Sequence, residues 1–493
     1  MNRQTQIEKI ASETEWDILI AGGGATGLGA AVDAASRGYK TLLLEKNDFA
    51  KGTSSRSTKL VHGGVRYLEQ GNIKLVKEAL RERGWLLKNA PHISHTMPFV
   101  IPAYGVGQKY YYGLGLKVYD FLAGKLSLGS TAFLSRAQTL DLLPTLNTNK
   151  LKGGVMYFDG QFDDARLAID LAKTATQHGA AVCNYFSVEK FIRAKGKICG
   201  VVAKDNMSGE TFEIKAKAVI NATGVFADEL MQADDEKFEP IISPSQGIHL
   251  VVDKKFFPGG HALMIPKTDD KRVLFAVPWH NKVVIGTTDT PIHSITDEPA
   301  ALDEEIDFVM HHANRYLTSK ITENDVRSIF AGLRPLVKQA GVKSTALLNR
   351  DHTIIVSKSG LVSITGGKWT TYRKMAQDAV DNAIFVSKQD KKECITSTLP
   401  IGNYNNASIN PLSLSENINL SQAEVEYFIK EEMAQTVEDI LARRIRLLLL
   451  DAEAAIDAAP QIAKQMALAM NKNDAWITKQ INDFTEVAEQ YVL

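Results

Sequence analysis

Three cysteines, Cys183, Cys199 and Cys394, are all that 493 residues contain. They show neither C-x-x-C spacing nor a framework of pairs, which excludes a disulfide-built fold, gives no sign of a metal site and fits a reducing cytosol. No stretch reaches the ~20 apolar residues of a transmembrane helix, so any membrane attachment is expected to be peripheral. The first sixteen residues carry Glu8, Glu13 and Glu15 and lack the apolar core of a signal peptide, so export is not expected. An excess of one charge is missing too. Lys and Arg number 57, as do Asp and Glu, leaving no basic field to gather nucleic acid, and any anion site must be local. Repeats and low-complexity tracts are absent. What remains is 44% apolar residues, enough for sizeable cores, in a chain long enough for roughly three domains.

The densest signal lies at residues 17–45, DILIAGGGATGLGAAVDAASRGYKTLLLE. Asp17 leads into Ile18, Leu19, Ile20 and Ala21, the composition of a buried parallel strand. Gly22, Gly24 and Gly27 then supply G-x-G-x-x-G. The first allows a sharp turn, the second lets backbone approach a pyrophosphate, and the third lets the next helix pack closely on the strand. Ala25 and Thr26 lie within this turn. The helix, predicted over 27–36, aims its N–H groups and positive dipole end at the phosphates, and Gly38 ends it. A second strand, 41–44, stops at Glu45, whose carboxylate can accept from adenosine ribose hydroxyls and disfavours a 2′-phosphate, and hence NADP.

Two later segments choose between NAD and FAD. AKAVINATGVFAD (216–228) is an apolar strand running into Ala222, Thr223 and Gly224, and is similar to the second nucleotide-contacting strand of glutathione-reductase-like flavoproteins. GLVSITGGKWTTYRKMA (360–376) gives strand, Gly366-Gly367 and helix, and that helix N-terminus can meet a flavin. The expected fold class is therefore α/β: a glutathione-reductase-like FAD-binding Rossmann fold, an antiparallel-sheet substrate domain and a small all-helical C-terminal domain. The FAD-binding domain is expected over 1–91, 155–235 and 331–390, the substrate-binding cap over 92–154 and 236–330, and the helical domain over 391–493, after an Asn/Ser-rich stretch near 402–417. Periodicity predicts helices over 163–178, 303–317 and 436–459, the last with Pro460 just beyond. It also predicts a meander of 188–193, 198–204 and 211–215, and sheet strands at 248–252, 273–277 and 283–286.

SSRSTKLVHGGVRYLE (54–69) resembles the FAD-dependent glycerol-3-phosphate dehydrogenases, the respiratory enzymes rather than the soluble NAD-linked ones. FDDARLAIDLA (162–172), GIHLVV (247–252), VIGTTDT (284–290), AGLRPLV (331–337), NRDHTI (349–354), GGKWTTYRKMA (366–376) and TVEDILARR (436–444) extend the resemblance over nearly the whole chain. It implies oxidation of sn-glycerol 3-phosphate to dihydroxyacetone phosphate by hydride transfer to flavin N5 of FAD. It further implies membrane quinone as acceptor and peripheral attachment to the cytoplasmic face of the membrane, and it allows a homodimer.

Oxidising a secondary alcohol needs a base for the hydroxyl proton, and a phosphorylated substrate needs cations, for which the Arg fork is well shaped. The resemblance implies that Arg66, Tyr67, Arg334 and Lys368 line the substrate pocket with His249 of GIHLVV as the base, so that His249, Arg334 and Lys368 form the catalytic set. His62 is the runner-up as base, and reads first as a residue that contacts flavin or holds its loop. Around the cofactor it groups the glycine-turn residues, Glu45 and Ala222-Thr223-Gly224 with Ser54, Ser55, His62, Gly63, Gly64, Gly366, Gly367 and Lys368. For Ser54, Ser55, Ser57 and Thr58, cofactor bonding and turn shaping are equal readings. Arg350 and Arg373 read first as structural ion pairs, and Thr287-Thr288-Asp289 as turn chemistry. Arg56 and Gln246 stand where the family carries a small residue and Lys, which puts phosphate affinity in question.

Residues 104–129 mix Tyr, Phe and Leu with Lys109, Lys117 and Lys125. The expectation is a buried helix and loop of the substrate domain, against the alternative of a helix lying on an anionic bilayer. Rival functions are an oxygen-using oxidase of the same substrate, an amino-acid oxidase of the same fold, and a non-catalytic flavin-binding redox sensor. The sensor has no need of Arg66, His249, Arg334 and Lys368 together.

Overall fold

The computed structural model describes residues 1–65, 68, 71–270, 272–338, 351–402 and 419–493. Its first sheet runs in the order His352–Val356, Leu361–Gly366, Thr211–Asn221, Trp16–Ala21, Thr41–Leu44, Ala181–Cys183. The last five strands are parallel, and His352–Val356 joins the edge antiparallel. Trp16–Ala21 is covered on both faces, as a run without polar alternation requires. Ile18 and Ile20 pack on the helices Ala25–Ser36, Asp164–Gln177 and Tyr372–Ser387. Trp16 and Leu19 pack on the other side, against Phe186, Ile198 and Val201 of the antiparallel meander. That meander, Phe186–Ala194 and Lys197–Asp205 with the start of Thr211–Asn221, stands where periodicity predicts it.

Among the described residues the second sheet has ten strands; near one end of it Ile242–Asp253 pairs antiparallel with Val326–Val337 on one side and Lys282–Gly286 on the other. Leu274–Trp279, Ala262–Ile265, Ser94–Ala103 and Gly153–Phe162 extend it. The two-residue alternation of a strand decides what each side chain meets. Ile248, Leu250 and Val252 face the helix Asp303–Tyr316, so His249 and Val251 point the opposite way, Val251 against the C-terminal helices.

Two expectations are corrected. Helix Gln108–Ala123 is not buried in the substrate domain: it buries Gly113, Leu116 and Tyr119 but presents Tyr110, Tyr111, Leu114, Val118 and Phe121 outward, Phe121 with 83% of its surface exposed. A narrow inward stripe suffices to seat it, Leu116 against Phe99, Ile101 and Val155 of the sheet. The C-terminal helix over 436–459 is broken into a wide turn at Asp439–Arg444, a short helix Leu447–Leu450 and a helix Ala452–Met470 that runs through Pro460. Charge pairing causes the break. A continuous helix spreads Arg443, Arg444 and Arg446 around its circumference in steps of about 100°, whereas the turn, with Arg446 at φ +61°, sends all three onto buried carboxylates.

Asp48, which follows the second strand, accepts from Arg444 at 2.6 and 2.9 Å and from Arg443 at 2.6 Å, joining the dinucleotide half to the tail. Burial alone would raise its carboxyl, but the two guanidiniums outweigh burial and bring it down to about 2. Glu438 is held at about 2 in the same way, against burial, by Arg443 and Lys51. Asp48→Asn leaves two buried guanidiniums under-paired and is expected to cost about 3–5 kcal/mol, read from denaturant midpoints. Both folded values lie below the ordinary 3.8 and 4.5, so this stabilisation is complete above about pH 4.5 and is lost as pH falls towards about 2. Melting of the wild type is therefore expected to drop steeply across that window, and less so for Asp48→Asn.

Candidate functional site

Beyond the carboxyl ends of the parallel strands opens a groove lined by Gly22, Gly24, Ala25, Thr26, Glu45, Ser54, Ala222, Thr223, Gly224, Gly366, Gly367 and Lys368. A Cβ at Gly22, whose φ is +110°, would lie 2.6 Å from the Ala222 carbonyl oxygen, and one at Gly27 would lie 1.8 Å from the Gly22 carbonyl oxygen. Gly27 thus stands behind the wall, holding helix to strand. The helix Ala25–Ser36 starts at Gly24 without a cap from that residue's own side chain. Ser54 Oγ accepts from the Ala25 N–H at 2.9 Å, and the Ser54 carbonyl accepts from the Trp369 indole at 2.8 Å. The Glu45 carboxylate is fixed by N–H donors of Gly23, at 2.5 Å, and Asn47, at 2.8 Å. A helix start with no side-chain cap of its own, and an oriented carboxylate beside it, fit a pyrophosphate and a ribose.

A second cavity of about 620 Å³ shares Thr53, Pro335, Gly366, Gly367, Lys368 and Trp369 with the groove, so the two are continuous. Thr58, His62, Gly64, His249, Arg272, Thr287, Asp289 and Arg334 line it. Gly63 lines neither space; its N–H donates to the Tyr119 hydroxyl at 2.8 Å. Ser55 is buried behind the wall, where its carbonyl accepts from Lys59 Nζ at 2.6 Å, and Ser57 Oγ donates to Asp164 at 2.7 Å.

The His249 ring stacks on Phe330, centroids 4.8 Å apart, and a Cβ at Gly286 would lie 2.4 Å from it. Its Nε2 is 2.8 Å from Thr58 Oγ1, and its buried Nδ1 has no hydrogen-bond partner among the described residues. Burial first, then the charges of Lys59 and Arg334, hold His249 well below the ordinary 6.5, so the ring is neutral. Arg334 lies on the adjacent strand, in register with Ser245. It donates to the Thr288 carbonyl at 2.9 Å, the Thr287 hydroxyl at 3.1 Å and the Gln246 carbonyl at 3.2 Å, with Asp289 at 3.4 Å.

Thr287-Thr288-Asp289 is therefore more than turn chemistry: it is the clamp that aims Arg334. Gln246 turns its side chain away from the cavity, to Glu305 at 2.7 Å and the Ala300 carbonyl at 2.8 Å. Arg56, expected to add a cation beside the flavin loop, is buried and paired with Glu298 at 2.6 Å. Arg373 pairs bidentately with Glu82 at 2.7 and 2.8 Å and lines neither space, as the ion-pair reading has it. Arg272 is a cavity residue that sequence reasoning missed; its guanidinium lies 4.8 Å from the Phe308 ring centroid, and its buried Nη1 has no hydrogen-bond partner among the described residues. The only signal was a cation in a polar loop between two strands. The expectations placed on Arg66, Tyr67 and Arg350, and on most of the 402–417 stretch, fall outside the described residues.

Residues 17–373 match the family described as FAD dependent oxidoreductase, and residues 398–476 match the C-terminal domain of alpha-glycerophosphate oxidase. The chain is 36% identical to the mitochondrial glycerol-3-phosphate dehydrogenase of Mus musculus, over 95% of this chain and 72% of that one. With the probable mitochondrial glycerol-3-phosphate dehydrogenase of Caenorhabditis elegans the identity is 38%, over 96% and 73%. The glycerol-3-phosphate dehydrogenase of Bacillus halodurans, solved with FAD, superposes with a TM-score of 0.80 at 31% identity, over 100% of this chain and 98% of that one. Identity of this extent, carried through both matched segments and into the backbone, places the chain among the FAD-dependent glycerol-3-phosphate dehydrogenases, and FAD is the dinucleotide its groove is built to hold.

Proposed function

We propose that this enzyme oxidises sn-glycerol 3-phosphate to dihydroxyacetone phosphate, with His249 as the base, and with Arg334, Lys368, Arg66, Tyr67 and Arg272 gripping the phosphate end. The observation that carries the reading is His249, buried and held neutral beside Lys59 and Arg334, in the wall of a cavity that is continuous with the dinucleotide groove. Bound FAD supplies the acceptor for the hydride that leaves the substrate's secondary carbon. His249 takes the hydroxyl proton on a ring nitrogen, and Thr58 Oγ1, 2.8 Å from Nε2, holds the ring in orientation. Arg334, aimed in advance by Thr287 and Thr288, presents its planar fork to phosphate oxygens. A phosphate dianion arriving there offsets the positive potential of Lys59 and Arg334, so the proton affinity of His249 rises once substrate is bound.

The aromatic helix supports a bilayer-dissolved acceptor, a quinone, reached from a peripheral position. Tyr110, Leu114, Val118 and Phe121 form one exposed stripe at helical spacing, with Lys117 and Lys125 exposed nearby. An amphipathic helix with this composition lies in the headgroup region of an anionic membrane. No helix among the described residues is long and apolar enough to cross a membrane. An oxygen-using oxidase has no use for such a face.

Glycerol 3-phosphate added anaerobically should bleach the flavin band of the holoenzyme, and quinone should restore it. His249→Gln should keep its flavin but bleach about 10²–10⁴ times more slowly; bleaching at the wild-type rate removes His249 as the base. Arg334→Lys keeps the charge and loses the fork. Its kcat/KM for glycerol 3-phosphate is expected to fall about 10- to 150-fold while turnover of unphosphorylated glycerol changes little, since hydrogen bonds to charged groups contribute about 1.5–3 kcal/mol. Leu114→Glu with Phe121→Glu should weaken sedimentation with anionic vesicles by at least about tenfold and leave turnover with a soluble dye acceptor intact.

A further inference from the structure

We propose that Asp269, His311 and His312 form a surface site for one divalent cation of the zinc class, on the substrate domain and outside the FAD groove. His311 and His312 lie near the end of the helix Asp303–Tyr316, and Asp269 faces them from the loop before Leu274–Trp279. Their Nε2 atoms stand 3.7 and 3.8 Å from the same oxygen, Asp269 Oδ2. All three ligand atoms lie within 4.8 Å of one another. Zinc bonds of about 2.0–2.2 Å at tetrahedral angles put ligand atoms about 3.3–3.5 Å apart, so the two His–Asp gaps close by a few tenths of an ångström, the two rings approach each other by no more than about 1.5 Å, and the fourth position is left to water. Two imidazoles and a carboxylate suit zinc and its neighbours, whereas calcium and magnesium take oxygen.

The surroundings favour ligation. Arg315 donates to Asp269 Oδ1 at 2.6 Å, leaving Oδ2 for the metal. An outer partner on a ligating carboxylate is the usual support of a metal site. The His312 ring is wedged between Phe308 and His311, at centroid distances of 4.4 and 5.2 Å. Two histidines adjacent in sequence match no zinc-ligand spacing, and Asp269 comes from an earlier loop, so no motif announces the cluster.

The loop that brings Asp269 also carries Asp270, which pairs with Arg272 of the substrate cavity. A cation on Asp269 pins that loop to the helix and so sets the position of Arg272; this consequence rests on the substrate reading above, whereas the site itself does not. Holoenzyme stripped with a chelator is titrated with Zn²⁺ against a chromogenic chelator, a measurement that needs no turnover. One zinc per chain is expected, with affinity at least about tenfold lower in Asp269→Asn and in His311→Ala. Both positions are exposed, and flavin content and metal-free Tm should match the wild type. Zinc should also raise the Tm of the wild type and not of the variants, which magnesium does not do. Equal zinc affinity in all three proteins overturns the site. A KM for glycerol 3-phosphate that shifts about fivefold or more with zinc, in the wild type only, supports the link to Arg272, and an unchanged KM with zinc bound overturns that link.

Discussion

Where the two sheets meet stands one buried ion pair, Lys59 with Asp164. Lys59 Nζ donates to both Asp164 oxygens, at 2.8 and 2.9 Å, and to the Ser55 carbonyl at 2.6 Å, and neither side chain has any exposure. Trp279 and Phe330 of the second sheet cover the ammonium, their ring centroids 4.8 and 5.2 Å away. One cation therefore ties the loop leaving the glycine-turn domain, the helix Asp164–Gln177 and the substrate sheet to one another. A pair taken this far from water persists because its donors and acceptors are used. The Lys59 backbone, at φ +62°, turns the chain sharply just after Thr58, the residue that meets His249. The same charge, even paired with Asp164, joins burial and Arg334 in keeping the His249 ring unprotonated. Lys59 thus serves the joint between the halves and, beside burial and Arg334, the charge state of His249.

Among the described residues, the arginines of the substrate cavity each have a carboxylate behind them: Asp289 for Arg334, Asp270 for Arg272 and Glu298 for Arg56. The cavity is accordingly less positive than its count of arginines suggests, and recognition of a phosphate falls to the direction of the donors rather than to a general field. Gln246 follows the same logic. It gives Glu305 an amide donor, beside the hydroxyls of Thr288 and Thr290, where a lysine would give a charge. The doubt that Gln246 casts on phosphate affinity is met by its direction, since its side chain serves Glu305.

Local chemistry made the dinucleotide half readable. Thr41–Leu44 has its expected bounds, and Trp16–Ala21 and Ala25–Ser36 lie within two residues of theirs, because strand, glycine turn and helix are each written in adjacent residues. The resemblance supplied His249 and Arg334, and cavity geometry brings them together. What stayed hidden depends on partners distant in sequence. The break after Arg444 answers Asp48, at the far end of the chain, and no window of helical periodicity contains that anion. Asp289 reads as turn chemistry until Arg334 arrives beside it. The aromatic helix has the same composition whether its stripe faces a core or a bilayer, and only the position of the sheet beneath it decides.

Topology explains why residues so far apart reach one place. The chain leaves the first sheet after Thr41–Leu44 through Ser54 and Thr58, and again after Thr211–Asn221 through Ala222 and Gly224; during these two excursions it builds the second sheet. Strands that run parallel all end at one edge, which is where a doubly wound sheet holds its ligand. Each excursion therefore begins over the groove, and the residues at its start, Ser54 and Ala222-Thr223-Gly224, line the groove without further design. The strands Ile242–Asp253 and Val326–Val337 of the second sheet then need only reach back to that edge for His249 and Arg334 to meet the open end of the groove. The glycine turn fixes where the cofactor lies, and the excursions, free of the glycine constraint, fix what it meets.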